Sequence, residues 1–129
     1  MPSSAVPESH RDLLDRPLFA HLATVRPDGG PQSNVMWFVW NGEHVKFTHT
    51  SARQKFRNIQ HEPRVAFSIA DPDNAYRFIE VRGDVVSIEP DPGAAFYKSL
   101  QTRYGERYEV KDADVRVILT VAPTTVVPH

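Results

Sequence analysis

The residues best equipped for chemistry lie between Thr48 and Ala66, in THTSARQKFRNIQHEPRVA. Ser51 follows the extended run Val45-Lys46-Phe47-Thr48 and stands where a helix N-cap belongs, its hydroxyl able to accept a hydrogen bond from an orphan backbone N–H. Ala52, Phe56 and Ile59 then fall at helical spacing on one apolar stripe, which leaves Arg53, Lys55 and Arg57 off it. Pro63 disfavours helical backbone in the residue before it, so the predicted helix ends at His61-Glu62. A helix N-terminus carries partial positive charge and unsatisfied N–H groups, and with a hydroxyl and two cations beside it the corner suits a phosphate. The same pattern also describes a solvated basic face over an apolar seam, and the residues alone leave both readings open.

Other reactive chemistries find little support. His10, His21, His44, His49, His61 and His129 show no H-E-x-x-H or other close metal spacing, and all six read as structural or exposed, His49 least so because it adjoins the corner. With no cysteine there are no disulfides, thiolate metal sites or thiol nucleophiles, which fits a cytoplasmic protein. Neither a Gly-x-Gly-x-x-Gly run nor a P-loop is present. A net charge of −1 supplies no global field for nucleic acid or an anionic membrane, so any anion site is a local pocket of cations and favours a small ligand over a polymer. No apolar run approaches the roughly 18 residues of a membrane span. The opening MPSSAVPESHRDLLDRP lacks a basic region followed by an apolar one, so secretion is not expected. The 129 residues suffice for one domain, 1–129, with a sizeable core.

The elements that must position the corner follow from turn chemistry. Met1 to Pro7 reads as a loose terminus, and Glu8 to Asp15 as a short helix, stopped by Pro17 and serving as a lid. Leu18–Val25 and Pro31–Trp40 form a hairpin across Arg26-Pro27-Asp28-Gly29-Gly30, and Asn41-Gly42 turns the chain into a third strand, Glu43–Thr50. After the basic helix come strands Arg64–Ala70 and Tyr76–Ile88, with Gly83 marking a bulge. Asp91-Pro92 opens a second helix with Ala95, Phe96, Leu100 and Tyr104 as its apolar face and Gly105 as its end. Val115–Val121 is a sixth strand, and Thr124–Val127 an extended tail that adds an edge. Six or seven antiparallel strands with helices only at the corners describe a small, mainly β barrel, closed or half open.

Strand two carries large apolar groups on both faces: Val35, Trp37 and Val39 on one, Met36, Phe38 and Trp40 on the other. One face is the core. The other meets a second copy of the chain or a flat ligand, which predicts a homodimer, unless a helix covers it.

The quoted run, with Leu22-Ala23-Thr24 before Asp28-Gly29, Pro31-Gln32-Ser33-Asn34-Val35, Lys55-x-Arg57-Asn58-Ile59, Pro63-Arg64-Val65-Ala66, Glu80-Val81-Arg82-Gly83 and Arg116-Val117-Ile118-Leu119-Thr120, resembles the pyridoxamine-5′-phosphate-oxidase-like split-barrel superfamily and, within it, the deazaflavin-dependent oxidoreductases. The likeness covers nearly the whole chain. It implies a homodimeric split barrel of six to seven strands (the FMN-binding split barrel) with a flavin-type cofactor in each of two interface grooves. Thr50, Ser51, Arg53 and Lys55 would hold the phosphate; Asn34, Val35, Met36 and Trp37 would line the ring; Tyr76 and Arg77 would come from the partner chain, and Arg116 would line the same groove. The implied activity is hydride transfer between coenzyme F-420 (8-hydroxy-5-deazaflavin) and a small conjugated substrate such as a quinone, enone or tetrapyrrole. FMN in the same groove, or a non-catalytic deazaflavin carrier, are the alternatives. The superfamily's pyridoxamine-phosphate oxidases usually carry a further Arg at the phosphate and a C-terminal substrate-binding extension; here the sequence stops at His129, so that oxidation is not expected.

Overall fold

In β1 (Ala20–Val25) every second residue is buried and those between are exposed, the pattern of a strand with one face on a core. The computed structural model describes residues 6–52, 54–107 and 109–129, the side chains of residues 54 and 55 excepted. Strands β2 (Pro31–Met36), β3 (Phe38–Trp40), β4 (Val45–Thr50), β5 (Arg64–Asp71), β6 (Asn74–Pro90) and β7 (Arg116–Pro128) join β1 in one antiparallel sheet of order β2-β1-β5-β6-β7-β4-β3. Among the described residues three α-helices, α1 (Arg11–Asp15), α2 (Gln54–His61) and α3 (Ala95–Tyr104), accompany the sheet, with single 3-10 turns beside them.

The outermost strands β2 and β3 are consecutive in the chain and separated only by Trp37, so the sheet curls until its two edges meet there. This is the predicted mainly β split barrel, and Trp37 marks the split. Met36 and Phe38 turn inward on either side of it and join a core built on Phe47, Phe67, Leu22, Ile69, Ile79 and Leu119. At the Asn41-Gly42 turn the Asn41 Oδ1 accepts hydrogen bonds from the N–H groups of Glu43 and His44 at 2.9 and 2.8 Å, while Gly42 takes φ +98°. Among the described residues no helix is long and apolar enough to cross a membrane.

The β6–β7 register shifts where Gly83 marks it, between Arg82 and Gly83, but the extra residue there is Thr124 of β7, its hydroxyl donating to the Arg82 carbonyl at 3.2 Å, and the extra residue of β6 itself is Val86, at a second shift between Val85 and Ser87. A Cβ on Gly83 would lie 2.3 Å from the Ala122 carbonyl oxygen, which is why glycine stands there.

Other local expectations are corrected. The short N-terminal helix is not a lid, because Leu13 and Leu14 of α1 are fully buried in the main core and plug the barrel. The stretch Thr124–Val127 is not an added edge; it continues β7, pairing with Glu80–Arg82 on β6 once the bulge has absorbed the offset. Ser51 is not the N-cap, since residues 51 and 52 form a turn ahead of the helix; the Ser51 N–H donates to the Val115 carbonyl at 2.9 Å, prolonging the β4–β7 ladder. The second helix, α3, opens at Ala95 after a 3-10 turn over Pro92–Ala94 rather than at Asp91-Pro92; its N-cap position is Ala94 (φ +56°), and buried Asp91 supplies the missing acceptor, its carboxylate taking the N–H groups of Phe96 and Tyr97 at 2.9 and 3.0 Å. Of the expected loose terminus, 1–5 lie outside the described residues.

Candidate functional site

Alternation along β4 sends Val45, Phe47 and His49 to the core and Thr48 and Thr50 to the opposite face. On the neighbouring strand Arg116 pairs with Thr50, so cross-strand geometry sets its side chain on that same face. Its Nη1 donates to Thr48 Oγ1 at 3.3 Å and its Nε to Asp112 Oδ1 at 2.9 Å. Two threonine hydroxyls and a guanidinium thus converge where β4 runs through the Ser51-Ala52 turn toward α2. Arg53 and the side chain of Lys55, expected beside them, lie outside the described residues.

Helix α3 covers this face. Tyr97 lies 3.8 Å below the Arg116 guanidinium and stacks on Trp37 at 5.9 Å between ring centroids, and Trp37 stacks on Tyr104 at 4.9 Å. The Tyr104 hydroxyl accepts the Phe38 N–H at 3.1 Å and donates to the Leu18 carbonyl, pinning the chain at the β2–β3 break. Burial pushes the Tyr104 phenol above its ordinary pKa, so it stays a neutral donor. A continuous stack therefore runs from the split at Trp37 to the cation at Arg116. Sequence reasoning named Trp37 and Arg116 and missed Tyr97; Tyr97 and Tyr104, seven apart on one helix face, were the available signal.

On the other side of the split, Asn34 and Gln32 turn toward α2. Asn58 of α2 is fully buried, and its amide donates to Thr24 Oγ1 at 3.0 Å and Gln32 Oε1 at 3.1 Å, while Gln32 Nε2 donates to Asn34 Oδ1 at 3.2 Å. This chain of amides ties the basic helix to strand two.

The remaining predicted residues are dispersed. Met36 points into the core, which leaves only its backbone to meet a ligand, whereas Val35 is 61% exposed on the outer face of the sheet. That face also holds an open groove of about 440 Å³ along Ala23, Val25, Ala66 and Gly83, rimmed by Arg64 and Arg82. Tyr76 is 92% exposed near the tip of the β5–β6 hairpin. Arg77 beside it is engaged within its own chain, by Asp12, by Asp71 at 2.9 Å and by the Ser9 carbonyl. Strand two's second face is thus divided: α3 covers Trp37, and Val35 stays open. Among the described residues no group of three His, Asp or Glu side chains is placed to hold a metal ion.

A sequence profile described as pyridoxamine 5′-phosphate oxidase matches residues 6–129. No curated protein matches the chain. Of solved structures, one named "F420 Reductase" is 55% identical, with a TM-score of 0.92 over 95% of this chain and 98% of that one. A conserved hypothetical protein from Mycobacterium tuberculosis is 27% identical, with a TM-score of 0.67 over 89% of this chain and 78% of that one. HutZ, the heme storage protein from Vibrio cholerae, shares the fold at 17% identity, with a TM-score of 0.66 over 92% of this chain and 90% of that one.

Proposed function

The chain belongs to the pyridoxamine 5′-phosphate oxidase family, and from that footing we propose that it is an oxidoreductase working with coenzyme F-420 on a small conjugated substrate, two copies of the chain sharing the cofactor grooves. The observation that carries this reading is the convergence of Thr48, Thr50 and Arg116 on one face with the Trp37–Tyr97 stack. Hydroxyls and a guanidinium suit an oxygen-rich, anionic ligand, and the aromatic rings beside them suit a flat one. Likeness to a protein named "F420 Reductase" supports the choice of cofactor.

The donor set fits such a group. Bound F-420 supplies the hydride chemistry at its ring carbon, which accounts for a site built without an acid–base pair. Thr48, Thr50 and Arg116 hold the ligand's oxygens, the Asn58–Gln32–Asn34 chain fixes strand two against α2, and the Trp37–Tyr97–Tyr104 stack keeps water from the split. The resemblance adds Ser51, Arg53 and Lys55 to the phosphate end and Val35, Met36, Tyr76 and Arg77 to the ring end. The proton for a reduced substrate comes from solvent, Tyr76 or a histidine.

The test is a fluorescence titration of the purified protein with F-420 and with FMN, followed by anaerobic mixing of prereduced F-420 with a quinone, enone or tetrapyrrole. Tight F-420 binding and reoxidation faster with protein than without are expected. Sub-micromolar FMN binding with no affinity for F-420 replaces the cofactor, and binding without turnover makes the protein a carrier.

A further inference from the structure

Arg116 is 14% exposed, and the structure accounts for most of its surroundings. A guanidinium has five N–H donors and one plane. Asp112 takes the Nε donor at 2.9 Å, Thr48 Oγ1 takes one Nη1 donor at 3.3 Å, and the Tyr97 ring fixes the plane from 3.8 Å. Tyr97 is itself stacked on Trp37, and Trp37 on Tyr104, whose hydroxyl is bound to backbone at Leu18 and Phe38. The orientation of the cation is therefore referenced, ring by ring, to the backbone of the split. Nη2 has no hydrogen-bond partner among the described residues. A surface arginine meant only for solubility needs none of this apparatus, because holding a long side chain in one geometry costs rotamer entropy.

Resting on the cofactor reading above, we propose that Tyr97 and Asp112 are positioning residues: they lock Arg116 so that its Nη2 edge receives an oxygen of the ligand, phosphoryl or ring carbonyl. Neither touches the ligand. A carboxylate at Nε sets the rotation of the fork without occupying its outer edge, and an aromatic face sets its tilt. Lysine at position 116 has neither a plane nor a fork and would not be held this way.

The test has two arms. Without ligand, the Arg116 Nε–H is followed by NMR in wild type, Tyr97→Leu, Tyr97→Phe, Asp112→Ala and Arg116→Ala, the last identifying the signal. A distinct, slowly exchanging resonance is expected in wild type, absent in Tyr97→Leu and Asp112→Ala, and restored by Tyr97→Phe, which keeps the ring. With ligand, the same proteins are titrated with F-420, FMN and their phosphate-free forms. Arg116→Ala and Tyr97→Leu should each weaken binding about tenfold, the size of a desolvated cation–π contact or charge-assisted bond, with the double variant no worse than Arg116→Ala alone. A loss confined to the phosphorylated ligands assigns the oxygen to phosphoryl; a loss shared by all assigns it to the ring. Unchanged affinity in Tyr97→Leu, or single losses that multiply in the double variant, overturns the proposal. A wild type that binds no cofactor while showing the locked signal sinks the cofactor reading and upholds the lock.

Discussion

Asn58 shows how much one buried amide organises. It lies on the face of α2 that meets the sheet and satisfies Thr24 on β1 and Gln32 on β2 at once, and Gln32 passes the constraint on to Asn34. Replacing it with leucine keeps the branched outline of the side chain and strands the oxygens of both partners. The expected cost is about 1–3 kcal/mol, the penalty for buried polar groups left unsatisfied. Urea unfolding followed by tryptophan fluorescence measures it, and a midpoint equal to wild type would remove the amide chain from the account. From the sequence alone Asn58 was one residue of a family-like run; nothing in its spacing distinguishes a fully buried bridge from a solvated helix face. Tyr97 was hidden for a different reason: its partner, Arg116, is distant in the chain and meets it only because Asp91 caps α3 over β4 and β7.

At the scale of elements, turn chemistry was legible and tertiary assignment was not. Asn41-Gly42 and Gly83 specify a hairpin and a bulge through backbone requirements that one residue type meets. Whether α1 lies over the barrel or plugs it depends on what surrounds Leu13 and Leu14, which no local pattern contains. The helix is held in place by charge as well. Arg77 on β6 reaches Asp12 on α1 and Asp71 at the end of β5, and Arg16 adds a contact to Asp12 at 3.4 Å. The Arg77 hydrogen bond depresses the Asp12 carboxyl, while the Asp73 N–H, followed by Arg77, depresses Asp71. A carboxyl depressed in the folded state contributes stability that is complete above its unfolded pKa, about 3.9, and is lost as pH falls through the lower folded value. Melting temperatures of wild type should therefore drop between about pH 5 and pH 3, and Arg77→Gln should flatten that drop while lowering stability at neutral pH. Parallel curves for the two proteins would show that the network holds no folding energy. Glu62, held near pKa 2 by Arg64, provides a separate acid-side contribution that the Arg77 substitution leaves alone.

For the molecule as a whole, the open question is what meets the face that α3 leaves bare. His21 pairs with Val35 and Ser68, Ala23 with Ser33 and Ala66, and Ala66 with Arg82, so these residues form one outward surface across β2, β1, β5 and β6. It combines small side chains with exposed Val35 and Val25, and its cations are already matched, Arg82 by Glu80 at 3.0 Å and Arg64 by Glu62 at 2.6 Å. A surface that is apolar at its centre and internally neutralised is suited to a copy of itself, because a two-fold contact brings like residues together and tolerates no unpaired charge. Val35 is the residue to alter. Its side chain lies clear of the core, so Val35→Glu leaves the folded subunit intact while burying a lone carboxylate twice in a symmetric contact. At about 1–3 kcal/mol for each buried unsatisfied group, the dimer dissociation constant should rise by roughly two orders of magnitude. Sedimentation velocity over a concentration series checks this, with circular dichroism on the same samples to verify the fold. A wild type that sediments as a monomer at micromolar concentration would exclude the two-copy groove; a dimer indifferent to Val35→Glu would move the contact to another face, the hairpin tip at Tyr76 first.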